Sequence, residues 1–278
     1  MITVLYAVAV LGILGALFGG ILAYASKVFA VETDPRQEAI VEALPGANCG
    51  GCGYAGCSNY AEAVVKNGAP CNKCAPGGSV AAEKIAAVMG VAVEHSEPMV
   101  AFVQCSGGNR AATKYNYSGI DDCAADYASL GNGMHYCVSG CLGHGNCVKA
   151  CKFDAIHVVN GVAVVDREAC KGCEACKNAC PKGMITMIPY SAKFVVPCHN
   201  PDKGSVTRKF CEIGCMGCKL CEKKCPHDAI HVDHNLASID YSKCQHCGVC
   251  YDVCPRNLIA VFGEMVTIAD PAPEADQA

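Results

Sequence analysis

The first 26 residues are almost all apolar and carry no charged side chain. About 20 such residues in a helix, rising 1.5 Å each, cross a bilayer core, so residues 1–26 read as a transmembrane anchor. Tyr6 and Tyr24 sit near its two ends, where amphipathic rings favour the membrane interface. A cleaved signal peptide fits less well, because there is no basic leader and the apolar run exceeds the usual ~7–15 residues. No Lys or Arg precedes the run, whereas Lys27 and Arg36 follow it. The positive-inside rule then puts the rest of the chain on the cytoplasmic side of a single-pass protein in the cell membrane.

Beyond the anchor the pattern changes period several times. Residues 27–90 read as a small helical domain. Asp34-Pro35 supplies a cap and an N1 proline, and Leu44-Pro45-Gly46 stops that helix. Two more helices are expected near 59–66 and 80–89. Residues 91–136 read as a connecting region with one β-like run, 100–103, and a second β-like run covers 194–196. Alternation at Ile156–Val159 with Val162–Val165, and at Ile230–Asp233 with 237–240, predicts two short hairpins. The tail, 270–278, is acidic and rich in Pro and Ala, and reads as mobile. The expected class is α+β.

The hairpins belong to an internal repeat. Cys137, Cys141, Cys147, Cys151, Cys170, Cys173, Cys176 and Cys180 recur 74 residues later as Cys211, Cys215, Cys221, Cys225, Cys244, Cys247, Cys250 and Cys254. Intervening residues match as well, "DAIHVVNGVAVVD" against "DAIHVDHNLASID". Each repeat therefore reads as one module of cysteine loop, helix, hairpin, cysteine loop and helix, covering 137–190 and 191–269.

Composition narrows the chemistry of these cysteines. There are 25 in 278 residues, a density that in a short secreted chain marks a disulfide scaffold. This chain is too long for that, and a reducing cytoplasm disfavours disulfides. A hydrophobic content of 52% excludes a disordered chain, and a net charge of −4 gives no support for nucleic-acid binding. Zinc or iron–sulfur ligation remains.

Spacing decides between them. The second repeat carries C-x2-C-x2-C-x3-C-P twice, as Cys215, Cys218, Cys221, Cys225-Pro226 and as Cys244, Cys247, Cys250, Cys254-Pro255. This is the two-cluster bacterial ferredoxin pattern, in which the fourth cysteine ligates the other cluster. One [4Fe-4S] cluster is then expected on Cys215, Cys218, Cys221 and Cys254, and another on Cys244, Cys247, Cys250 and Cys225. The first repeat is complete in its second half, which with Cys151 predicts a cluster on Cys170, Cys173, Cys176 and Cys151. Its first half departs from the pattern. His144 stands where the repeat has Cys218, and Lys152 replaces the proline. The expected set there is Cys137, Cys141, Cys147 and Cys180; His144 is the alternative ligand, since histidine replaces cysteine in some clusters, and an exposed loop histidine is the favoured reading. Zinc favours isolated four-ligand sets, not interleaved and repeated ones.

A different motif lies upstream, Cys49-x2-Cys52-x4-Cys57-x16-Cys74, within "CGGCGYAGC" and "CAPGG". Its glycines let backbone amides turn toward a cluster. Cys71 is read as an extra thiol. The order of anchor, this motif and two ferredoxin repeats resembles the B subunit of the Rnf-type ion-translocating electron-transport complex, in its long polyferredoxin form. The resemblance covers nearly the whole chain. It implies a membrane complex that passes electrons between reduced ferredoxin and NAD+ coupled to Na+ or H+ transport. Other subunits of the complex, soluble ferredoxin and membrane lipid are the implied partners.

Twenty cysteines thus serve five clusters. Of the remainder, Cys105, Cys123, Cys198 and Cys211 flank both repeats. One arrangement is a sixth cluster on these four; another places Cys137 in that cluster and leaves the first site to another ligand. Buried free thiols are the third reading. No P-loop, dinucleotide motif or nucleophile motif is present. The chain therefore reads as an electron wire without a catalytic residue. Alternative readings are an iron–sulfur component of a hydrogenase or corrinoid-linked system, or a zinc-binding structural protein.

Overall fold

The computed structural model describes residues 2–28, 34–93, 97–129 and 131–263. The acidic tail, 270–278, lies outside the described residues. Helix α1 spans Ile2–Val28. Among the described residues, no helix is long and apolar enough to cross a membrane, so the transmembrane anchor expected at residues 1–26 is not found there.

Three helices build the small N-terminal unit: α2 (Pro35–Ala43), α3 (Cys57–Asn67) and α4 (Gly78–Met89). The Asp34 side chain caps α2 by accepting from the Arg36 amide at 2.9 Å. Helix α3 starts at Cys57, earlier than its apolar pattern suggests. Gly56 has no side chain to cap it, and the Asn48 Oδ1 atom accepts from the Cys57 amide at 2.8 Å instead. Ile40, Leu44, Tyr60, Val64 and Ile85 close the core between the three helices, with Cys74 against it. Tyr60 is fully buried, and its hydroxyl donates to the Pro70 carbonyl at 2.6 Å.

The remainder is built from short helices and two-stranded sheets. In chain order these are β1 (Met99–Val103), α5 (Cys123–Tyr127), α6 (Asn146–Ala150), β2 (Ile156–Val159), β3 (Val162–Val165), α7 (Ala175–Ala179) and β4 (Ile185–Pro189). Then follow β5 (Phe194–Val195), α8 (Gly204–Phe210), α9 (Leu220–Lys224), β6 (Ile230–Asp233), β7 (Leu236–Ile239), α10 (Val249–Asp252) and β8 (Ala260–Val261). The hairpins β2–β3 and β6–β7 sit at equivalent places in the repeat. Both turn through two residues of positive φ, Asn160-Gly161 and His234-Asn235, as a tight hairpin requires. The two-residue turn pairs Asp233 with Leu236, so β7 begins one residue before the alternation predicted.

Strands β4 and β8 were not evident from sequence, because each is a partner supplied from far along the chain. β1 pairs antiparallel with β4, Met99 opposite Pro189, and β5 pairs with β8, Phe194 opposite Val261. β1 is buried on both faces, which explains its unbroken apolar run. Ala101 and Val103 enter the core of the first repeat. Val100 and Phe102 meet Ile188, Val195, Ala260 and Phe262 in a core shared by both two-stranded sheets. The segment read as a connection is therefore packed into the first repeat and tied to the second.

Candidate metal centres

The N-terminal site is a cavity lined by Cys49, Cys52, Cys57 and Cys74 together with Leu44, Pro45 and Tyr60. Gly77 closes one side, where an added Cβ would lie 3.2 Å from the Cys74 Sγ atom. Cys71 does not line this cavity. It faces a separate hollow with Val64, Pro70 and Met89, in keeping with an extra thiol.

In the first repeat, Cys176 lies in a core against which Cys151 and Cys170 pack. The Ala101 amide donates to the Cys170 Sγ atom and the Ala155 amide to the Cys151 Sγ atom, both at 3.4 Å. The second repeat reproduces the latter bond as Ala229 to Cys225, also at 3.4 Å. There, Cys215 and Cys221 share one core with Cys254 packed against it, while Cys225, Cys244, Cys247 and Cys250 line one cavity beneath Phe194 and Ile230. Cys225, the fourth cysteine of one run, thus lines the cavity of the next.

In the irregular first half, Cys141, Cys147 and Cys180 line a cavity together with Cys123 rather than Cys137. Cys123 opens α5, and its amide donates to the Asn146 Oδ1 atom at 2.9 Å. Asn146 in turn donates to the Asp122 carboxylate at 2.7 Å, clipping α5 to the start of α6. His144 is not among the lining residues. Its ring is held between Asp121 at 2.8 Å and Asp126 at 3.1 Å, and Asp126 is fully buried.

Cys137 lies in a second cavity with Cys105, Cys198 and Cys211, which Cys141 also borders. This grouping is that of the second arrangement, with Cys137 among the extra thiols. Cys105 and Cys137 come from one half of the chain, Cys198 and Cys211 from the other. An isolated bridge between Ala111 and Cys211, and a bond of 2.7 Å from the Ala112 amide to the Phe210 carbonyl, hold the halves together. The Gly107 amide donates to Cys105 Sγ at 3.3 Å, and the Cys215 amide to Cys198 Sγ at 3.5 Å.

These residues fit an iron–sulfur cube. The Nδ1 atoms of His135 and His199 are buried without a partner in the protein, and both residues line the bridging cavity. Gly107 and Gly214 each leave room beside a sulfur where an added Cβ would lie 3.5 Å from Sγ. Among the described residues, no three His, Cys, Asp or Glu side chains converge on one metal ion. A cube asks for something different, one thiolate at each of four separated irons.

Burial, followed by neighbouring thiols, pushes Cys137, Cys147 and Cys176 up from 9.0 to about 12. At neutral pH the iron-free chain keeps these thiols protonated, so filling the sites must release protons. The sign is set by that release. Each step down in pH below about 12 favours the neutral thiol and loss of iron. Acidifying the loaded protein under argon from about pH 9 to about pH 5 is expected to bleach its visible absorbance progressively. Iron retention independent of pH across that range would contradict this.

Comparison with known proteins follows the same division. Residues 44–76 match the family model "Putative Fe-S cluster", 163–186 match "4Fe-4S binding domain", and 214–259 match "4Fe-4S dicluster domain". The chain is 44% identical over 259 residues to the B subunit of the Na(+)-translocating ferredoxin:NAD(+) oxidoreductase complex of Acetobacterium woodii, covering 92% of this chain and 78% of that one. It is 44% identical over 254 residues to the B subunit of the ion-translocating oxidoreductase complex of Methanosarcina acetivorans, covering 91% and 96%. The B subunit of the proton-translocating ferredoxin:NAD(+) oxidoreductase complex of Clostridium ljungdahlii is 43% identical over 264 residues, with 93% of each chain covered.

Proposed function

This chain belongs to the family of B subunits of ion-translocating ferredoxin:NAD(+) oxidoreductase complexes, and we propose that it takes single electrons from reduced ferredoxin and passes them to its partner subunits through six [4Fe-4S] clusters. It is an electron-transfer component of that oxidoreductase and translocase. The clusters supply a one-electron couple when bound; the protein holds them, spaces them and sets their surroundings.

The observation that carries this reading is that the cysteine sets adjoin one another from end to end. Gly51, beside Cys49, abuts the Cys173 backbone, and Cys147 and Cys176 share one core. Cys105 and Cys141 both line the bridging cavity, and the Cys215 amide donates to the Cys198 Sγ atom. Helices α9 and α10 pack together between the last two sets. Amides that donate to Cys105, Cys151, Cys170, Cys198 and Cys225 favour the added negative charge of a reduced cluster.

Two ferredoxin-like modules and the bridging site make a row with an open end. Cys218 and Cys247 are exposed, whereas most of the other cysteines are buried or half-buried. Lys219, Lys223 and Lys224 surround the Cys218 loop. This rim suits an acidic soluble ferredoxin, whose approach would be salt-dependent.

Quantitation of iron and acid-labile sulfide, with EPR, tests the count. Six cubes require about 24 irons per chain, five about 20. A colourless protein without iron would refute the reading altogether.

The N-terminal helix is assigned to the membrane, with the cysteine sites on the cytoplasmic side. What supports this is the absence of charge before Lys27 and a row of exposed apolar side chains from Leu11 to Leu22. Deleting residues 1–26 is expected to release a soluble brown protein with its iron intact, since every cysteine follows Lys27. Failure of the truncated chain to hold iron after anaerobic expression would overturn that independence.

A further inference from the structure

Lys152 occupies the position after Cys151 where the other three runs carry Pro181, Pro226 and Pro255. A proline there has no side-chain donor. The Lys152 Nζ atom instead reaches across to the N-terminal unit and donates to the carbonyls of Ala47 at 3.2 Å and Asn48 at 3.0 Å. These carbonyls immediately precede Cys49. Asn48 is held in the left-handed region, φ 45°, and its side chain is tied to the Cys57 amide at 2.8 Å. The lysine therefore grips a backbone segment already fixed to the N-terminal cysteine site.

A second contact lies alongside. Gly51, between Cys49 and Cys52, is seated directly on Cys173. An added Cβ at Gly51 would lie 2.5 Å from the Cys173 carbonyl oxygen and 3.0 Å from its Cα. Backbone meets backbone here, so no side-chain rotation can relieve an added atom. Both partners are loop residues within cysteine runs, and the approach brings the two runs as close as glycine permits.

We propose that Lys152 and Gly51 form a latch that seats the N-terminal cysteine loop on the Cys170–Cys173 loop, so that the Cys49, Cys52, Cys57 and Cys74 site exchanges electrons directly with the Cys151, Cys170, Cys173 and Cys176 site. This rests on the reading that both sets hold [4Fe-4S] clusters. One electron leaves the reduced cluster, which is oxidised, and enters its neighbour, which is reduced; no bond or proton is involved. The electron comes from reduced ferredoxin in the complex. Lys152 and Gly51 are positioning residues, because they set the distance on which tunnelling depends exponentially. The departure from proline then has a reason: of the four positions, the one beside the N-terminal unit carries the side chain that can hold it.

The test uses the full-length, iron-loaded protein reduced in steps with dithionite. Its readouts are the magnetic interaction between the two reduced clusters, seen by EPR, and the rate at which they equilibrate. Lys152→Met keeps the aliphatic stem and loses both hydrogen bonds, which is expected to lower the docked population about tenfold. Gly51→Ala forces the loops apart without removing a thiol. Lys152→Met is expected to keep its full iron content, and both variants are expected to lose the magnetic interaction and equilibrate more slowly. Lys152→Arg, which retains a donor, is expected to restore the interaction in part. An unchanged interaction in both Lys152→Met and Gly51→Ala, at full iron content, overturns the latch. Unchanged iron content in Cys49→Ser or Cys173→Ser would instead refute the cluster reading on which the latch depends.

Discussion

Replacing Cys137 with serine is expected to lower the iron content from about 24 to about 20 per chain and to remove the signal of the bridging cluster. The same replacement at Cys123 is expected to remove an equal amount of iron from a different cluster, the one held with Cys141, Cys147 and Cys180. The contrast follows from the two cavities, in which Cys137 shares walls with Cys105, Cys198 and Cys211 while Cys123 shares walls with the other set. Each thiolate lost leaves an iron without its ligand in a buried site where water cannot readily replace it. Cys198→Ser and Cys211→Ser should reproduce the spectrum of the Cys137 variant, because they complete the same set. Loss of the same EPR signal in Cys137→Ser and Cys147→Ser would return Cys137 to the regular run. Full iron content in both Cys123→Ser and Cys137→Ser would leave no sixth cluster.

The second large effect is expected from Cys254→Ala. Cys254 follows Cys250 by four residues, yet it packs against the core that holds Cys215 and Cys221. Its removal should abolish the cluster of Cys215, Cys218 and Cys221 and spare the one held by Cys225, Cys244, Cys247 and Cys250. The bridging cluster is then cut off from the end of the row nearest the exposed Cys247. Reduction of the N-terminal cluster by ferredoxin entering there should fail, although the N-terminal cluster itself is intact. Damage confined to the Cys244 set would refute crossed placement, and undiminished transfer would refute entry at that end.

Several features were legible because they are local. Asp34-Pro35 starts α2 whatever surrounds it, since a carboxylate needs only the next amides to cap. The hairpins follow from alternation and a turn that tolerates positive φ. The start of α3 was misjudged because its cap is Asn48, nine residues upstream, rather than Gly56. The apolar run at Ile185–Pro189 was present in the sequence, but nothing near it identified β1 as its partner.

The sequence by itself determined the regular cysteine sites. Three thiols spaced by two residues within one tight loop can reach three corners of a cube without help from the rest of the chain, and the 74-residue repeat doubles that signal. Only the tertiary structure shows which cysteines share each irregular cavity. Cys123 and Cys137 are both candidates by chain distance, and no local rule separates them. The clip from Asn146 to Asp122 carries Cys123 to one cavity. The bridge at Ala111 and Cys211 brings Cys105 and Cys137 to the other, beside Cys198. Loop geometry is a property of neighbouring residues, whereas the fourth corner of these two sites is set by long-range pairing, which spacing along the chain does not encode.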